Sequence, residues 1–205
     1  MNGVIMLTLD GLTRKKMIKE IELAVDTDVS NKKAAIITTA SKGKEENPYS
    51  KKAKYQYMQM QFGKVVFADL EDNPDFDFSD YDLIHVCGGN TFKLLHFARL
   101  ANLKKSIEYL LEKNGIYVGV SAGSLIMTPS IDIVRECSLD SNLIKMTDFT
   151  AFAILPIYIC VHYEPKDEKW GIRQDNYIKN NNRIFYKINN DQAILVKDGK
   201  IQVIE

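Results

Sequence analysis

Cysteine is scarce in this chain. Cys87, Cys137 and Cys160 are widely spaced, odd in number and never form a C-x-x-C pair. That argues against a disulfide framework and suits a reducing compartment. Histidine is scarce too, with three in the chain. His85, His96 and His162 lack ligand spacing such as H-E-x-x-H, so no metal and no cofactor is expected. Excess charge is missing as well: 27 Lys and Arg balance 27 Asp and Glu. No global field therefore draws the chain to nucleic acid or to an anionic membrane. Apolar runs stay far below the length of a membrane span. The N-terminal stretch has no basic n-region and meets Asp10 early, so it reads as a first strand and not a signal peptide. A cytoplasmic location is the expectation.

The 205 residues, 45% hydrophobic and 26% charged, suit one globular domain spanning 1–205 with a real core. No linker, internal repeat or low-complexity segment divides them. Strands are predicted at Val4–Leu9, Lys33–Ala40, Lys64–Leu70, Leu83–Cys87 and Gly115–Val120. Helical patterns lie between them at Leu12–Val25, Lys51–Phe62 and Phe92–Lys113. The tyrosines and methionines of the second, Tyr57 among them, read as plain packing. Ser41–Ser50 reads as a mobile polar loop. Strands alternating with helices predict an α/β fold, a mostly parallel sheet flanked by helices. Beyond Pro129, Ile131–Val134, Ile154–Tyr163 and Arg183–Ile188 read as strands continuing the same sheet, and Lys166–Lys179 as a helix. Asp198-Gly199 between two apolar runs predicts a C-terminal β-hairpin with a type I′ turn.

The chemistry is expected at Gly119-Val120-Ser121-Ala122-Gly123, a G-x-S-x-G that leaves a buried strand and enters a helix stopped by Pro129. Such a turn forces Ser121 into strained backbone geometry and projects its hydroxyl beside free N–H groups. The plain alternative is a Gly-Ser turn without chemistry, or one that cradles a phosphate. Gly88-Gly89-Asn90-Thr91 leaves the preceding strand, and the Gly89 and Ala122 N–H groups would make a two-donor oxyanion hole. As the base, His162 is favoured because it ends an apolar strand at a loop; His85 reads as packed and His96 as surface. Asp132, Glu136, Asp140 and Asp148 all lie between Ser121 and His162, and the residues alone do not choose an orienting acid among them.

Cys87-Gly-Gly-Asn-Thr-Phe-Lys-Leu-Leu95, Val118-Gly-Val-Ser-Ala-Gly123 and His162-Tyr163 together resemble the peptidase E (aspartyl dipeptidase) and cyanophycinase group of serine peptidases, family S51. The resemblance implies a fold related to class I glutamine amidotransferases, flavodoxin-like in its sheet. It also implies Ser121 as nucleophile, Gly89 and Ala122 as oxyanion donors, and His162 as base. The family's acid stands fifteen residues after the serine, with a proline eight residues after it; here those positions are Glu136 and Pro129. Other branches place the acid later, which keeps Asp140 as the alternative. Asn90 and Arg173 are the implied substrate-binding residues. Arg173 and Lys169 are the basic groups that would serve the group's preference for N-terminal Asp-X dipeptides.

A serine exopeptidase on dipeptides or short peptides is the leading expectation. A related esterase or cyanophycin-type hydrolase would keep the nucleophile and change the acyl group. A catalytically silent small-molecule-binding protein would keep only the pocket. The partner expected is a small peptide substrate, with no nucleic acid and no membrane; a homodimer is left open.

Overall fold

A computed structural model describes residues 2–25, 28–164 and 170–205. Its strands are β1 (Val4–Thr8), β2 (Lys33–Ile37), β3 (Lys64–Ala68), β4 (Leu83–Val86), β5 (Ile116–Val120), β6 (Tyr158–Cys160), β7 (Phe185–Lys187), β8 (Ala193–Lys197) and β9 (Lys200–Ile204). The α-helices are α1 (Lys15–Val25), α2 (Pro48–Gln59), α3 (Thr91–Leu100), α4 (Leu103–Glu112), α5 (Ala122–Leu125), α6 (Asp132–Glu136) and α7 (Gly171–Lys179).

Seven strands form one sheet in the order β3-β2-β4-β5-β1-β8-β9. The first five run parallel, and β8 and β9 are added antiparallel at one side. Parallel strands are covered on both faces, which is why β1 and β2 read as unbroken apolar runs. In β1, Ile5 and Leu7 enter one core while Val4 and Met6 enter the other. Helix α1 buries Met17, Ile21 and Val25 at four-residue spacing on that second face. The predicted hairpin is present: Asp198 and Gly199 have φ of 51° and 71°, the left-handed pair that a type I′ turn requires.

The structure departs from the sequence-based expectation in four places. The long helical pattern ending at Lys113 is two helices, because Asn102 adopts φ 51° and breaks the ladder between α3 and α4. Ile131–Val134 belongs to the helical segment around α6, with Ile131, Ile133 and Val134 buried. A short apolar run is compatible with either period, and here packing selects the helix. Strands β6 and β7 pair with each other in a separate parallel sheet and do not extend the main one. Segment 41–50 is tied down: Asn47 caps α2 by accepting from the Tyr49 N–H at 2.9 Å, and Pro48 occupies the first helical turn. Within that segment Lys44 Nζ also pairs with Asp69, Glu71 and Asp72. The helix expected over Lys166–Lys179 is observed as α7; 166–169, Lys169 included, lie outside the described residues. Among the described residues no helix is long and apolar enough to cross a membrane.

Candidate active site

Strand β5 lies between β4 and β1, so its carboxyl end opens between two neighbouring strand ends, where parallel sheets hold their ligands. Ser121 is the residue that leaves it. Its φ of 47° and ψ of −103° place it outside the usual regions for a residue with a side chain, a strain of about 1–3 kcal/mol that the surroundings must hold. They hold it with a dense set of hydrogen bonds. The Ser121 N–H donates to Thr8 O at 2.9 Å, and its carbonyl accepts from the N–H groups of Ser124 and Leu125. Ser124 Oγ reaches Thr8 O at 2.8 Å and Gly119 O at 2.9 Å, and Tyr117 Oη donates to Gly123 O at 2.7 Å.

The glycines of the motif are steric requirements. A Cβ on Gly119 would sit 2.6 Å from Gly123 O, and one on Gly123 would sit 2.4 Å from Val86 O. Only bare backbone lets β5 turn directly into α5 against β4. On the other side of the serine, Gly89 has φ 139°, and a Cβ there would lie 2.0 Å from Ala40 O. Ser41 Oγ donates to Gly88 O at 2.8 Å and Asn90 N–H to Ala40 O at 3.1 Å, which fixes the glycine turn beside the elbow. Neither the Gly89 N–H nor the Ala122 N–H has a hydrogen-bond partner among the described residues.

His162 arrives from the end of β6, with φ 52°, and places Nε2 3.3 Å from Ser121 Oγ. Its neighbours are anchored. Gln174, fully buried, donates to Val161 O at 3.1 Å. Tyr163 Oη donates to Asp175 at 2.9 Å, and Lys187 Nζ donates to both Tyr163 Oη and Asp175, at 3.0 and 2.7 Å. The Lys187 ammonium beside it holds the Asp175 carboxyl below its ordinary range. The Trp170 ring stands 6.3 Å from the imidazole, centroid to centroid.

Ser121 and His162 separate two cavities, and both residues and Gly89 line each of them. The larger, about 390 Å³, extends under α2 past Asp10, Lys42, Lys52, His85 and Cys87. The smaller, about 270 Å³, is walled by Leu125, Leu139, Val161 and Asp140. Asp140 Oδ2 accepts from the Thr91 N–H at 2.9 Å and from Thr91 Oγ1 at 2.6 Å.

Glu136 is not brought to this place. Because α6 is helical and buries Ile133 and Val134, its Glu136 faces outward, pairs with Arg135 and lines a different cavity with Asp132 and Arg173. Arg173 accordingly lies apart from the serine. Asn90 is also occupied elsewhere: its Oδ1 caps α3 by accepting from the Lys93 N–H at 2.9 Å, and its Nδ2 donates to Ser141 O at 2.8 Å. Two arrangements escaped the sequence reading. One is the Thr91 grip on Asp140, signalled only by a threonine opening a helix. The other is the buried pair His85–Tyr57, with Nδ1 and Oη 2.9 Å apart. Among the described residues, Asp69, Glu71 and Asp72 present carboxylate oxygens close enough to share a metal ion. Lys44 Nζ already fills that cluster, 3.1 Å from Glu71 and 2.9 Å from Asp72.

A serine on a strained strand-to-helix turn, with a histidine in reach and open N–H groups beside it, is the geometry of the nucleophile-elbow hydrolases. The family model of peptidase family S51 matches residues 8–204, and the chain belongs to that family. An uncharacterized peptidase of Pasteurella multocida (strain Pm70) is 28% identical over 180 residues, covering 83% of this chain and 84% of the relative. Peptidase E of Shewanella amazonensis is 40% identical over 84 residues, 41% of this chain and 34% of that protein. The fold is shared with a candidate peptidase E protein from Listeria monocytogenes EGD-e, with TM-score 0.78, 22% identity and 98% of each chain covered. A peptidase from an acI-B1 Actinobacterium gives TM-score 0.73 at 17% identity, covering 100% of this chain and 88% of that one. The protein is a peptidase by family.

Proposed function

We propose that the protein is a serine exopeptidase that cleaves dipeptides or short peptides, with Ser121 as nucleophile and His162 as base. The observation that carries this is the 3.3 Å approach of His162 Nε2 to Ser121 Oγ on the strained elbow. His162 takes the Ser121 proton as Oγ bonds to the scissile carbonyl carbon, and the oxyanion rests on the N–H groups of Gly89 and Ala122. The imidazolium then protonates the leaving amine as the C–N bond breaks. Water, deprotonated by the same imidazole, resolves the acyl-enzyme and frees the acid and Ser121.

Asp140 is the orienting acid in this reading. It shares the smaller cavity with Ser121 and His162, and Thr91 engages its Oδ2, leaving Oδ1 for the imidazole Nδ1–H. The two cavities flanking Ser121 accommodate the two sides of the scissile bond, which fits a small substrate. The test is labelling with a fluorophosphonate probe together with a dipeptide panel. Labelling of the protein but not of Ser121→Ala is expected, with release of free amino acids. Tight peptide binding with neither labelling nor turnover would identify a silent binding protein instead.

A further inference from the structure

The floor of the larger cavity carries a polar group that the proposed catalysis does not use. On β4, Leu83 and His85 face the core under α2. His85 is 3% exposed and lines the same cavity as Ser121. Its Nδ1 lies 2.9 Å from Tyr57 Oη, with the two rings edge to face. Tyr57 is fully buried and has no other hydrogen-bond partner among the described residues. Burial also keeps its hydroxyl protonated, raising its pKa well above the ordinary value. A buried phenol proton left without an acceptor is costly, so Tyr57 Oη–H donates to Nδ1. The ring proton of a neutral imidazole then sits on Nε2, which has no protein partner among the described residues.

Around this donor the cavity floor carries no charge. Ala53 is apolar, Gln56 spends its Nε2–H on Leu12 O at 2.7 Å, and Cys87 Sγ lies 3.6 Å from Ser50 Oγ. Burial pushes the His85 pKa down to about 4 and that of Cys87 up to about 11, so both are neutral near pH 7. Asp10, Lys42 and Lys52 also line the cavity; the two lysines are exposed, so water damps their pull, and Asp10 carries the sign that repels a carboxylate. A carboxylate pushed against His85 would lose its hydration and meet the neutral His85, Cys87, Ala53 and Gln56. An amide costs less to desolvate and has a carbonyl oxygen to offer.

We propose that His85 is a specificity-determining residue, whose Nε2–H receives the side-chain carbonyl of an uncharged amide residue, Asn or Gln, flanking the scissile bond. This rests on the exopeptidase reading for which bond is cut, but not for whether the subsite exists. Tyr57 is a positioning residue that fixes which nitrogen carries the proton.

The experiment has a kinetic arm and a binding arm. Dipeptides with Asn, Asp or Leu, varied first at one position and then at the other, are compared by kcat/KM. Asn is expected to exceed both Leu and Asp by about tenfold at one of the two positions, the scale of one specific neutral hydrogen bond. His85→Leu should erase the advantage of Asn over Leu, and Tyr57→Phe should reduce it. A ratio between substrates is insensitive to the fraction of protein folded. In the binding arm, the same dipeptides are titrated into Ser121→Ala by calorimetry, and nitrogen NMR of the histidine rings reads which His85 nitrogen is protonated. Binding that favours Asn with Nε2 protonated is expected, even if no turnover is found and the catalytic reading falls. Preference for Asp, equal effects of His85→Leu on every substrate, or a proton on Nδ1 would overturn the proposal.

Discussion

Ser121 Oγ and His162 Nε2 face each other at 3.3 Å although both residues sit at positive φ, 47° and 52°. Neither backbone conformation is relaxed for a residue with a Cβ, and each costs on the order of 1–3 kcal/mol. Two separate strained turns aimed at one point are hard to account for by packing alone. If they act as one unit, Ser121→Ala and His162→Ala should each lower kcat by roughly a million-fold, with the double variant little worse than either. Far-ultraviolet circular dichroism should remain native in all three. Losses that multiply in the double variant would show that the residues act independently.

Of the two acids weighed from the sequence, Asp140 lines the cavity shared with Ser121 and His162 and Glu136 does not. Asp140→Asn keeps the size and the acceptor to Thr91 but removes the charge, and it should lower kcat by about 100-fold or more. Glu136→Gln, on an exposed side chain paired with Arg135, should leave kcat within about twofold. Steady-state kinetics on one dipeptide settles both. The opposite ranking would require α6 to rearrange during catalysis.

The parallel strands were legible because each is an apolar run bounded by polar helices, and the elbow because its glycines leave a spaced signature. Which of Glu136 and Asp140 would reach the cavity was not legible in the sequence, and the structure places only Asp140 there. The fifteen-residue count comes from the family resemblance and carries no local geometry, whereas Asp132 to Glu136 coils and turns its last carboxylate outward to pair with Arg135. Asn90 illustrates another gap. An asparagine after two glycines suits a ligand, a turn or a helix cap equally, and only the distances to Lys93 and Ser141 show that the cap has taken it. The His85–Tyr57 pair links residues 28 apart on a strand and a helix, and no periodicity reports such a contact.

The glycines of the site should rank by what surrounds them. Gly123→Ala thrusts a methyl 2.4 Å from Val86 O, where backbone must move, and should cost about 1–3 kcal/mol or more while also displacing Ser121. Gly11→Ala meets nothing within 4 Å but keeps φ at 79°, so only the left-handed conformation is penalised, by about 1 kcal/mol. Urea midpoints compared at constant m-value measure both. Equal costs would mean that the elbow relaxes more readily than its contacts suggest.

The buried imidazole also predicts how stability depends on pH. His85 has its folded pKa pushed down by burial to about 4, against an ordinary 6.5 when unfolded. Between those values the unfolded chain binds the extra proton. The neutral-His contribution is therefore complete above pH 6.5 and is lost as pH falls towards 4. The slope approaches about 1.4 kcal/mol per pH unit, and the whole window is worth on the order of 3 kcal/mol. Glu71 and Asp175 are held low by Lys93 and Lys187 respectively, from ordinary values of 4.5 and 3.8, so their contributions are lost mainly below this window. Urea unfolding at pH 7, 6 and 5 should show the decline in the wild-type protein and a much flatter profile in His85→Gln. A wild-type profile that is flat from pH 7 to 5 would mean that the imidazole is either hydrated in the folded state or charged beside a group that shields it.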